Sequence, residues 1–154
     1  MISLGSRTIA DVADMEAFVR AFEAHTLPKS DWTHHSHLAV GLWYVAHYSE
    51  AEALDRLRDA IRSYNVAQGG ANTETAGYHE TITRVYVRHI GEHLRTHRDT
   101  PLMTCLRLLL NGPAADREFP LRFYTRERLF SVEARLGWIE PDIQPLNAGD
   151  RPAT

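Results

Sequence analysis

Apolar residues recur three and four positions apart through most of this chain, and each such run predicts a helix. Over 11–25 the pattern puts Val12, Met15, Phe18, Val19 and Phe22 on one face, with Asp11 as a cap and Leu27-Pro28 as the stop. The next run, about 33–48, is apolar nearly all round from Leu38 to Val45, which predicts a central helix buried against several neighbours. Ser49-Glu50-Ala51-Glu52 forms a capping box, and Ala53, Leu54, Leu57, Ile61 and Tyr64 carry a third helix to about Asn65. Residues 67–77, rich in Gly, Asn and Thr, read as a loop. The spacing then predicts a long helix from about Thr75 to His97, with Ile82, Val85, Tyr86, Ile90 and Leu94 on its buried side. Thr100-Pro101 opens a fifth helix that closes at Asn111-Gly112, and Thr125 to Leu136 reads as a sixth, ending at Gly137. From Trp138 onward Pro141, Pro145 and Pro152 predict an extended tail. With no alternating strand pattern, no repeat and no second domain, the expected fold is all-α: a single domain over 1–154, an antiparallel bundle of about five to six helices.

Composition narrows the function classes. A chain of 154 residues, 44% hydrophobic and 24% charged, is long enough for a core without disulfide or metal staples. Its net charge of −3 and the lack of any Lys/Arg run argue against a nucleic-acid partner. The longest nearly apolar run, Leu38–Val45, is far too short for a membrane span. A single cysteine, Cys105, and an N-terminus without signal-peptide regions place the expected location in the cytoplasm. The apolar sixth helix and Pro-rich tail suit a homodimer contact.

The chain's nine histidines are clustered, and the densest cluster is Trp32-Thr33-His34-His35-Ser36-His37-Leu38. If Asp31 or Thr33 caps the second helix, His34 and His37 lie in its first turns, about 60° apart around the axis and roughly 4.5 Å along it, while His35 points away. Two imidazoles on one face provide two ligands for a divalent ion, and a catalytic zinc-type site needs a third. On a helical wheel His79 falls in the buried stripe of the long helix and is the best third candidate. Neighbouring Glu80 then reads as a general base, a fourth ligand or a partner for an imidazole, set against the plain alternative of a first-turn acid. Gly41, one turn after His37, leaves room beside it, and Tyr44, Tyr48 and Thr83 are the expected substrate-lining groups. Imidazole ligation fits zinc, nickel, copper and iron alike; zinc is the expected ion, with nickel or iron as further options. A second row, His89, His93 and His97, drifts around the long helix and reads as surface histidine, with His93 and His97 turned toward the buried side as alternative ligands or partners of a ligand. Arg122, Arg126 and Arg128 beside Tyr124 present cations for an anionic group, or a solvated helix start. Cys105 reads as a small buried hydrophobe.

The Trp32-Thr33-His34-His35-Ser36-His37-Leu38 and Tyr78-His79-Glu80-Thr81-Ile82-Thr83 elements resemble those of a family of small bacterial proteins with Trp-Thr-His-x-x-His-Leu and Tyr-His-Glu-Thr-x-Thr motifs. The resemblance extends through Tyr64-Asn65, Asn72 and Arg126 to Trp138. It supports the choice of His34, His37 and His79 and brings no activity with it. A more distant architectural likeness is to DinB-like helical bundles, which hold a metal with three histidines from different helices. Those bundles take a ligand pair from a His-x-x-x-His on a later helix, whereas here the pair comes early and His79 stands alone. Three functions therefore stand side by side: a metal-dependent enzyme acting on a small molecule, with hydrolase, transferase and lyase chemistry all open; a metal-free protein that binds a small molecule with the same buried histidines; and a structural or partner-binding bundle.

Overall fold

A computed structural model describes residues 1–146. The chain opens with a hairpin, β1 (Ile2–Leu4) and β2 (Arg7–Ile9), paired antiparallel with Ile2 opposite Ile9. The described chain is otherwise mostly helical, as expected, and this small hairpin is a departure from an all-α chain. The alternation Ile2-Ser3-Leu4 and Arg7-Thr8-Ile9 is present but only three residues long on each side, too short for a period-2 signal to stand out. Gly5, at φ +62°, makes the turn, and a Cβ there would lie 2.6 Å from the Cα of Asp31. Asp31 accepts hydrogen bonds from the Ser6 amide (2.7 Å) and hydroxyl (2.8 Å), so it ties the hairpin to the entry of the second helix instead of capping that helix.

Seven helices follow among the described residues: α1 (Val12–Glu23), α2 (His34–His47), α3 (Glu50–Ala67), α4 (Glu80–Thr96), α5 (Leu102–Leu110), α6 (Arg126–Leu129) and α7 (Val132–Leu136). Side-chain caps explain most of their starts. Asp11, Thr33, Ser49, Thr125 and Ser131 each accept from the backbone amide three residues on. Ser131 divides the expected sixth helix into two, because its cap starts a new first turn where the old one would have continued. The fourth helix begins five residues later than expected. Asn72 accepts from the Tyr78 amide and the Asn65 side chain, Gly77 sits at φ +81°, and the chain reaches helical geometry only at Glu80.

The expected centrality of α2 is visible in its packing. It touches α1, α3, α4 and α5, and Leu38 through Val45 are all buried. Between α5 and α6 the chain forms two short 3-10 turns, Pro113–Ala115 and Phe119–Arg122, whose Ala114, Phe119 and Pro120 are buried. Residues 138–146 run without helix along 122–128, held by Tyr124 Oη donating to Ile139 O (2.7 Å), the Ile143 amide donating to Phe123 O (2.9 Å) and Asp142 accepting from Thr125. The remainder of the expected tail, 147–154, lies outside the described residues. Phe130, Val132 and Leu136 of the α6–α7 segment stay exposed. No helix among the described residues is long and apolar enough to cross a membrane.

Candidate functional site

Thr33 sets the site by starting α2. Its hydroxyl accepts from the Ser36 amide (3.2 Å), while Ser36 Oγ donates to Asp31 O, so His34 and His37 fall in the first turns. His37 Nδ1 is 2.7 Å from Thr33 O, and His34 Nε2 is 2.8 Å from Ala114 O. A carbonyl can only accept, so these nitrogens carry the ring protons. The other nitrogen of each ring, His37 Nε2 and His34 Nδ1, is left as an acceptor without a protein partner among the described residues. The His37 ring lies 3.9 Å, centroid to centroid, from Trp32, which in turn stacks on Phe22 at 4.4 Å.

Both imidazoles line a cavity of about 460 Å³. Its inner walls are apolar: Leu38 and Gly41 of α2, Leu57 and Ile61 of α3, Ile82 and Ile90 of α4. Leu121, Leu129 and Phe130 close it from the C-terminal segment, and the exposed Arg117, Glu118 and Arg126 stand at its rim. The open surface of His37 faces this space, so a small molecule can reach the ring although protein surrounds it. Burial among these groups pushes the His37 pKa down to about 4, and the nearby His34 and Arg117 push the same way. Burial likewise lowers His34. Both rings are neutral at pH 7.

Tyr86 completes the wall. Its ring meets His34 edge-on at 5.6 Å, and its hydroxyl is the one buried side-chain polar atom among the described residues with no hydrogen-bond partner. Burial raises its pKa, so it keeps its proton and can donate. An unpaired buried hydroxyl costs on the order of 1–3 kcal/mol.

The other expected site residues divide. Gly41 and Thr83 line the cavity, and a Cβ on Gly41 would lie 3.0 Å from Ile90 Cδ1, so the glycine also lets α2 approach α4. Tyr44 and Tyr48 do not reach it. Tyr44 Oη donates to Glu23 Oε2 (2.5 Å), and Tyr48 carries the Arg56 guanidinium on its face at 4.1 Å. His79 is not on the helical wheel that its expected role assumed. It is the N-cap of α4, where Nδ1 accepts from the Ile82 amide (3.1 Å) and Nε2–H donates to Leu129 O (2.7 Å), and both nitrogens are spent. In this arrangement both His79 nitrogens are held by backbone groups, and the ring is not brought to the cavity that His34 and His37 line. Among the described residues no group of three His, Cys, Asp or Glu is placed to hold a metal ion. What His79 does is fix Leu129, a cavity wall residue, to the start of α4.

Glu80 also lies outside the cavity. Its carboxylate takes a bidentate pair from Arg58 (Nε 2.7 Å, Nη2 2.8 Å) and a bond from Tyr78 Oη (2.8 Å). Burial would raise its pKa, but the hydrogen bonds from Arg58 and Tyr78 outweigh that and hold it below the usual carboxylate value. It is an ionised clamp between α3 and α4, which is no position for a general base acting in the cavity.

The second histidine row is not a free surface. His89 packs on Phe119 (4.7 Å), His93 Nε2–H donates to Cys105 O and His97 caps the end of α4. Cys105 is buried, as expected. Of the three arginines near Tyr124, Arg126 reaches the cavity rim, Arg122 lies over Phe119 and Arg128 donates to Glu140 O. Sequence reasoning placed Tyr86 in the buried stripe and missed its site role. The signal was a hydroxyl-bearing ring one turn from Thr83 on an otherwise apolar face. No protein-family model, no curated protein and no solved structure matches the chain.

Proposed function

We propose that this protein binds a small neutral molecule, mostly apolar and carrying one polar group that both donates and accepts, in the cavity between α2, α4 and the 117–130 segment. The observation that carries this reading is that His37, with its open Nε2, and Tyr86, whose buried hydroxyl has no partner, line one largely apolar cavity. Its size is within the range of small-molecule sites, and sites of that kind are mainly apolar with few convergent polar groups. A neutral imidazole nitrogen accepts, and a tyrosine hydroxyl donates. Together they select an alcohol, a primary amide or a similar group. We read the surrounding helices as an antiparallel bundle that holds these walls in place. The metal-dependent enzyme expected from the sequence would need a third ligand other than His79.

The test is thermal denaturation of the purified chain with matched series of alcohols, primary amides and carboxylates of increasing chain length. A ligand at about a hundredfold its Kd raises stability by about 2.7 kcal/mol, a Tm shift of roughly 5–10 °C at this size. The shift should come from the alcohol or amide series, alter the fluorescence of Trp32, and vanish in His37→Phe. No shift in any series, with no adduct in native mass spectrometry, would overturn the reading. One equivalent of zinc by elemental analysis would replace it with the metal-dependent one.

A further inference from the structure

The Tyr78-His79-Glu80 element contributes little to the cavity above, yet it builds a second one. Arg58 and Arg62 on α3, Glu80 and Arg84 on α4, and Arg135 on α7 line a separate cavity of about 610 Å³, floored by the 72–74 loop and walled by Trp138. Four guanidinium groups converge there in a protein whose net charge is −3. Arg58 is neutralised by Glu80 and, on its outer side, by Asp55 (2.8 Å). Arg62, Arg84 and Arg135 remain with Glu74 on the cavity wall, and Arg84 also borders Glu140 and Asp142 in an adjoining groove. Neither Arg62 nor Arg84 forms an ion pair among the described residues, and Arg135 Nη1 is bonded to a neutral carbonyl, Gly77 O, at 2.8 Å.

The cations are also held. Arg84 rests on the face of Trp138, its Cζ 4.7 Å from the ring centroid, and Arg135 is fixed by the backbone just before α4. Guanidinium groups positioned in advance lose less entropy on meeting an oxyanion, and their forked donors match phosphate and carboxylate geometry. The loop that shapes the floor is set by Asn72, whose side chain bonds Asn65, Arg62 O and the Tyr78 amide. The sequence elements singled out around Asn65, Asn72 and Tyr78-His79-Glu80 thus converge on this place.

We propose that the α3–α4–α7 cavity is a binding site for a small, multiply charged oxyanion, of the phosphate or the polycarboxylate kind, independent of the neutral-ligand cavity. Calorimetric titration of the full chain at low salt with inorganic pyrophosphate, inorganic phosphate and citrate tests it and separates the two sources. The expected result is one site for pyrophosphate or for citrate, weakened at least about tenfold in the double variant Arg62→Gln/Arg84→Gln and weakened by added salt. Trp138 fluorescence should change on binding, because an anion on the Arg84 guanidinium alters the charge held against the ring. If the double variant loses its fold, Arg62→Gln alone serves, since that side chain is exposed and holds no other element. Absence of binding for all three anions, or binding that both variants leave unchanged, would overturn the proposal.

Discussion

Tyr86 is the residue at which stability and recognition pull apart. In the ligand-free protein its hydroxyl is buried and unpaired, so removing it removes a cost. Tyr86→Phe is expected to raise stability by about 1 kcal/mol, read as a higher Tm, while weakening the alcohol or amide ligand by about tenfold in the same thermal series. A variant that is less stable and binds unchanged would mean that the hydroxyl has a structural partner. His37 gives the second prediction at this scale. Its pKa is lowered in the fold, from the ordinary 6.5 to about 4, and burial also lowers His34, His79 and His89. Between those limits the unfolded chain binds more protons than the native one. The stability these rings contribute is therefore complete above about pH 6.5 and is lost as pH falls toward 4. Urea unfolding at several pH values across that window should show the decline, with a slope shallower by up to about one proton in His37→Phe. An identical slope in the variant would mean that this ring does not resist protonation.

At the scale of elements, the joint between α3 and α4 rests on Glu80. Two bonds from Arg58 and one from Tyr78 converge on the carboxylate of a side chain that is 12% exposed, so the charge is well compensated only while all three remain. Glu80→Gln is expected to cost about 1–3 kcal/mol, and a double-mutant cycle with Arg58→Gln should show strong coupling between the pair. A catalytic base would behave in the opposite way, leaving Tm unchanged and abolishing turnover. The same element explains where local reasoning failed. Helix periodicity fits residues 75–79 as well as 80–96, but Gly77 at positive φ and the Asn72 contacts hold that stretch outside the helix. His79 thereby becomes a cap, and its side chain turns to Leu129 instead of toward His37.

Across the whole molecule, α4 is the helix from which the two functional readings diverge. On one side of it the first turns of α2 bring His34 and His37 to the neutral cavity, closed by a segment that returns from beyond α5. On the far side of α4, the Arg-lined cavity uses the opposite edge of the same helix. Most helices, most of their caps and the centrality of α2 were legible in the sequence, because periodicity and capping depend on neighbours within a few residues. So was the shared face of His34 and His37, which one helical turn determines. The partners of the histidine nitrogens were not legible. His34 donates to a carbonyl 80 residues away, and His79 to one 50 residues away. Which lone pairs stay open, which arginines gather and which hydroxyl goes unpaired are decided by those long-range meetings. Only tertiary packing determines them, because no local period encodes which distant backbone a side chain will face.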